Sequence, residues 1–111
     1  MRRPGYLSEA DGPLIIMARQ AARWSTAAEQ DQNPMIAVLH ANYGAGYLWA
    51  MQDIATSSEI EKATGMDWKQ FRTAILAAQD KATRRLASLC PGFSPKKTYL
   101  TKIAKERRYL N

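Results

Sequence analysis

NPMIAVLHANYGAGYLWAMQ, residues 33–52, decides how this chain is built. Asn33 is a good helix cap, and Pro34 sits at the first helical position, where its missing N–H does no harm. From Pro34 to Gln52 no residue carries a formal charge. Small side chains recur four apart on two neighbouring stripes, Ala37, Ala41 and Ala45 on one, Asn42, Gly46 and Ala50 on the other. Such stripes let another helix approach closely, at a cost in helix propensity at Gly44 and Gly46. The expectation is a central helix covered on most sides by the rest of the chain.

An uncharged stretch of this length is also about what crosses a hydrocarbon core. His40, Asn42, Tyr43, Tyr47 and the two glycines interrupt it, and the polar ones are costly in lipid without partners. Burial inside a helical domain is the better reading, and a membrane partner is not expected.

Working outward, Asp11 and Pro13 open a first helix over roughly 13–31. Its Leu14, Ala18, Ala21, Ser25 and Ala28 recur at helical spacing. Residues 1–10, before it, read as a flexible arm. After the central helix, Ser58 and Glu61 suggest a capping box for a short helix that Gly65 closes. Asp67 caps a long amphipathic helix whose seam is Trp68, Phe71, Ile75, Ala78, Ala82, Leu86 and Leu89, and Cys90-Pro91-Gly92 ends it. Ser94-Pro95 starts a final basic helix with Tyr99, Leu100, Ile103 and Ala104 facing inward. Val occurs once, at Val38, and strand-like runs are absent. The reading is all-α: a compact bundle of four main helices plus one short helix, with residues 11–111 forming a single domain.

The 111 residues suffice for one core but not two, and 46% hydrophobic with 23% charged residues argues against general disorder. Charge is unevenly spread. Residues 1–67 hold five basic and eight acidic side chains, a net of −3, and residues 68–111 hold eleven and two, a net of +9. A concentrated cationic region attracts polyanions or an acidic protein surface, including the front half of another copy. Lys96, Lys97, Lys102, Lys105, Arg107 and Arg108 are its core. Binding of phosphates there would weaken by about 0.9 log units per log unit of salt for each phosphate neutralised.

Enzyme chemistry finds little footing. Cys90 is the sole cysteine and His40 the sole histidine, so no intrachain disulfide can form and no metal-ligand pair of these types exists. Cys90 reads as a small packing residue and His40 as a hydrogen-bonded interior or interface residue. Asp53, Glu59 and Glu61 decorate helix starts rather than mark a carboxylate site. Gly44-Ala45-Gly46 lies inside a helix and not after a strand, so it is no phosphate loop. Neither cofactor nor metal is expected. Tyr43 and Tyr47 share a face with His40, a face fit for core packing or for a small ligand or interface, while Trp49 points elsewhere. The amino terminus lacks the apolar core of a signal peptide, which together with the lone cysteine points to an intracellular protein, cytoplasmic or within an assembled particle.

Residues 58–75, SEIEKATGMDWKQFRTAI, resemble a helix-turn-helix. Ile60, Met66, Phe71 and Ile75 fall near its apolar positions and Gly65 at its turn. The resemblance implies that Lys69, Gln70 and Thr73 face bases, with Arg72 or Lys69 on phosphates. Glu61 stands where that motif keeps a small buried residue, and the second helix outruns a recognition helix. The leading expectation is therefore a non-enzymatic helical protein that acts by association. It would partner itself as a self-assembling adaptor or accessory subunit of a larger particle, viral ones included. A DNA- or RNA-binding protein using 58–75 and the basic tail is the alternative.

Overall fold

The computed structural model describes residues 11–90 together with residues 100 and 103. Four helices follow one another: α1 (Asp11–Gln30), α2 (Pro34–Ile54), α3 (Ser57–Thr64) and α4 (Trp68–Leu89). The chain is an all-α bundle in which α1, α2 and α4 are long and α3 is short. Leu100 and Ile103 are helical as well. The expected arm over 1–10, and the expected final helix apart from those two positions, lie outside the described residues.

Helix boundaries follow from their caps. Asn33 Oδ1 accepts hydrogen bonds from the Met35 and Ile36 amides at 2.9 and 3.2 Å, so α2 starts where Asn-Pro predicts. The capping box of α3 is Thr56 with Glu59, not Ser58 with Glu61. Glu59 N donates to Thr56 Oγ1 and Thr56 N donates to Glu59 Oε1. Both frames fit the Ser/Thr-x-x-Glu pattern, and the earlier one opens α3 at Ser57, three residues before the fully buried Ile60. Gly65 closes α3 with φ 75°, a left-handed conformation that a side chain would strain. Asp67 Oδ1 then caps α4 through the Gln70 amide at 2.8 Å. Glu61, displaced from the capping role expected of it, accepts the Trp68 amide at 2.8 Å and serves α4 as a second cap.

The core is narrow and rich in alanine. Leu14, Leu48, Met51 and Ile60 are its largest fully buried side chains, each contributing about 1.5–3 kcal/mol of burial. Leu14, Met51 and Ile60 join α1, α2 and α3 at one end, backed by Met66, Trp68 and Phe71. Ala28, Ala37, Ala41 and Ala82 join α1, α2 and α4 at the other. Between them α1 crosses α2 at Gly44, where an added methyl would collide with Ser25 Oγ and stand 3.0 Å from the Ala21 carbonyl. The glycine's cost in helix propensity is thus offset by a close helix contact. Arg85 ties the open end: its guanidinium donates to the Asp31 and Gln32 carbonyls at 2.8 and 2.5 Å, holding the α1–α2 turn against α4.

Two expectations about burial are corrected. Leu89 closes the expected α4 seam yet is 62% exposed; it lies one turn beyond Arg85, which meets the α1–α2 turn at Asp31 and Gln32. Cys90, expected to pack, is exposed at the α4 C-cap. The larger correction concerns α2.

Candidate association surface

Among the described residues α2 is covered on one side only. Ala37, Ala41, Gly44, Ala45, Leu48 and Met51 face α1 and α4 and are buried. The opposite side is open, with Met35 69%, Leu39 43%, Tyr43 46% and Trp49 40% exposed. The expectation of a helix sheathed on most sides therefore fails. The physical reason is geometric: α1 and α4 are the only long described helices packed on it, and two neighbours leave a third face bare. Of the two small stripes, Ala37, Ala41 and Ala45 fill the core, whereas Asn42 and Gly46 are exposed and Ala50 is half-buried.

This outer face is apolar and almost without charge. Met35, Leu39, Asn42, Gly46, Trp49 and Asp53 are all exposed and run down it at alternating steps of four and three. Asp53, at the far end, is the seam's one formal charge. A shallow groove of about 500 Å³ lies along its centre, lined by Trp24, Asn42, Tyr43, Gly46, Tyr47 and Ala50. A methyl built on Gly46 meets nothing within 4 Å. Gly46 thus contrasts with Gly44 two residues away: within the described fold no packing requires it.

The shoulders of the face are held in place. On the α1 side Trp24 packs against His40 and edge-on against Tyr43, with ring centroids 5.0 and 5.3 Å apart. His40 Nδ1 lies 2.7 Å from Asp31 Oδ2, so this half-buried histidine links α2 to the end of α1. Tyr43 and Tyr47 share its side of the helix and both line the groove; Tyr43 is exposed, while half-buried Tyr47 also packs against the core at Ala21, Leu48 and Ile75. On the α4 side Gln79 Nε2 donates to Asn42 Oδ1 at 3.0 Å, and the Arg72 guanidinium sits 5.7 Å from the Trp49 ring centroid. Trp49 does point away from the tyrosines, as its spacing implies.

The helix-turn-helix-like segment forms two helices about a three-residue turn, with Ile60 and Ile75 buried and Met66 and Phe71 half-buried. Lys69, Gln70 and Thr73 are exposed on α4, while Arg72 is half-buried over Trp49. Residues 58–75 balance Lys62, Lys69 and Arg72 against Glu59, Glu61 and Asp67. Two of those carboxylates, on Glu61 and Asp67, cap the amino-terminal end of α4, the end such a motif aims at bases. Across residues 11–90 eight basic and eight acidic side chains cancel, so the formal +6 comes from outside that span. Lys96, Lys97, Lys102, Lys105, Arg107 and Arg108 lie outside the described residues.

The Glu59 carboxyl is displaced by its place in the α3 capping box. Hydrogen bonds from the Thr56 backbone and side chain hold its carboxyl below the ordinary value of 4.5. Among the described residues no group of three or more His, Cys, Asp or Glu side chains is placed to hold a metal ion. No described helix is long and apolar enough to cross a membrane. No protein-family model, curated protein or solved structure matches the chain.

Proposed function

We propose that this protein works by association with further copies of itself through the outer face of α2, as an adaptor or accessory subunit of a larger assembly. The observation that carries this is the uncharged apolar face spanning Met35, Leu39, Tyr43 and Trp49, left bare by α1 and α4. Solvent-facing sides of ordinary bundle helices carry charged residues. Here the exposed side of α2 has only Asp53, at its end.

Size also supports the reading. A 21-residue helix is about 31 Å long, and Trp24 on α1 and Gln79 on α4 flank its outer face on either side. A patch of that length, flanked on both sides, is on the scale of the roughly 800 Å² that each partner buries in a standard specific interface. Nucleic-acid binding takes second place within residues 11–90, whose balanced charge offers phosphates no electrostatic footprint; the cations that would supply one lie outside that span.

Mass in solution tests this. The chain is expected to sediment as a multimer whose mass falls toward one copy on dilution. Leu39→Lys should yield a monomer of unchanged helicity, since Leu39 is exposed. A wild-type chain that stays monomeric at every concentration, or that shifts a labelled DNA or RNA duplex while Leu39→Lys does so equally, contradicts the proposal.

A further inference from the structure

We infer that two copies meet by pairing α2 with α2 in antiparallel orientation about a two-fold axis at the level of Gly44, with Gly46 as the point of closest approach. The inference rests on the self-association reading and adds its geometry.

The first argument is spacing. Met35, Leu39, Asn42, Gly46, Trp49 and Asp53 step by 4, 3, 4, 3 and 4 residues, the average 3.5-residue repeat of a coiled-coil seam. That series reads the same in both directions. Turned end for end, it lays Met35 opposite the partner's Asp53, Leu39 opposite the partner's Trp49 and Asn42 opposite the partner's Gly46. A face that matches its own reversal suits an isologous two-fold contact.

Size and charge choose the orientation. In parallel pairing Trp49 would meet the partner's Trp49 beside a gap where two copies of Gly46 face each other. Antiparallel pairing sets the largest seam residue against Leu39 and the glycine against Asn42, which evens the separation along the interface. Asp53 is the seam's single formal charge. Parallel pairing would bring two copies of it together at one end. Antiparallel pairing places each beside the partner's α2 amino terminus, where the helix dipole is positive.

Gly46 supplies an independent mark. A glycine inside a helix weakens it, and Gly44 has a reason in the α1 contact while Gly46 has none within the described fold. The groove at Gly46, walled by Trp24, Tyr43 and Tyr47, is the depression a facing side chain would fill.

Orientation can be read by cross-linking in a Cys90→Ser background, which removes the exposed native thiol. Ile36 and Ala50 lie on one flank of the seam, fourteen residues or about 21 Å apart along α2. Antiparallel pairing brings Ile36 of one copy opposite the partner's Ala50. An Ile36→Cys chain mixed with an Ala50→Cys chain should form the mixed disulfide on oxidation, identified by peptide mass, while neither chain cross-links to itself. Gly46→Leu should keep the fold, since its methylene meets open space, and weaken the dimer by about tenfold or more. Self-cross-linking of Ile36→Cys, or a dimer that survives Gly46→Leu and gives no mixed disulfide, overturns the antiparallel geometry while leaving self-association standing. A chain that is monomeric without any substitution overturns both.

Discussion

Gly44 and Gly46 sit two residues apart in one helix, and replacing each with alanine should give opposite results. In both cases alanine recovers about 1 kcal/mol of helix propensity. At Gly46 nothing opposes the gain, because the new methyl meets nothing within 4 Å. At Gly44 the methyl would collide with Ser25 Oγ and sit 3.0 Å from the Ala21 carbonyl, backbone that moves only if α1 is pushed away from α2. Overpacking of this kind costs about 1–3 kcal/mol, and here it also loosens Ala18, Ala21 and Ala28 along the same crossing. Net, Gly44→Ala should destabilise the monomer by up to about 2 kcal/mol and Gly46→Ala stabilise it by up to about 1 kcal/mol. For a domain of this size each kilocalorie moves the midpoint by about 4 °C or more. The assay is thermal unfolding followed by circular dichroism at concentrations low enough to hold both variants monomeric. Ser25→Ala added to Gly44→Ala should recover part of the loss. It removes the first colliding atom, which is also a buried hydroxyl without a hydrogen-bond partner in the structure. A Gly44→Ala chain as stable as Gly46→Ala would refute the close-approach account of α1 on α2.

Three other outcomes are expected. Arg85→Ala removes both hydrogen bonds that clamp the α1–α2 turn and should cost about 1 kcal/mol, discounted for the exposure of the side chain; denaturant unfolding measures it. Gly65→Ala forces a methyl into the left-handed region at φ 75° and should cost about 1–2 kcal/mol, read in the same way. The Glu59 carboxyl, followed by NMR as pH is lowered, should titrate below 4.5 in the folded chain. Because its folded value is depressed, the support it gives the α3 cap is complete above the unfolded value and is lost as pH falls through the folded one. An ordinary or raised midpoint would mean that the Thr56–Glu59 box does not form in solution.

Local chemistry made much of the fold legible. Asn33-Pro34, Gly65 and Asp67 act as the residue types at those positions predict, since a cap depends on neighbours within three or four residues. The inner seam of α4 likewise declares itself, because Ile75, Ala78 and Ala82 alternate with Arg, Lys and Thr on the outside. What stayed hidden depended on distant partners. Glu61 caps a helix that begins seven residues later, which no short motif encodes. Thr56-x-x-Glu59 and Ser58-x-x-Glu61 are equally good boxes in the sequence, and only the structure shows the Glu61 carboxylate engaged by the Trp68 amide instead. The open side of α2 was the costliest miss. A helix apolar all round carries no polar stripe to mark its outside, so the sequence implied burial where two neighbours cover only half. Tyr43 and Tyr47 were rightly grouped with His40, but Trp24, the α1 ring that completes the groove wall, was not part of that reading.

Side-chain labelling by hydroxyl radicals, followed as protein concentration is raised, puts the bare α2 face to the sharpest test. Met35, Leu39, Tyr43 and Trp49 should all react freely in dilute solution and become protected together as copies associate, while Ile16, exposed on α1, keeps its reactivity. Reactivity of those four residues that stays constant across concentrations at which the mass doubles would place the contact elsewhere and contradict the account.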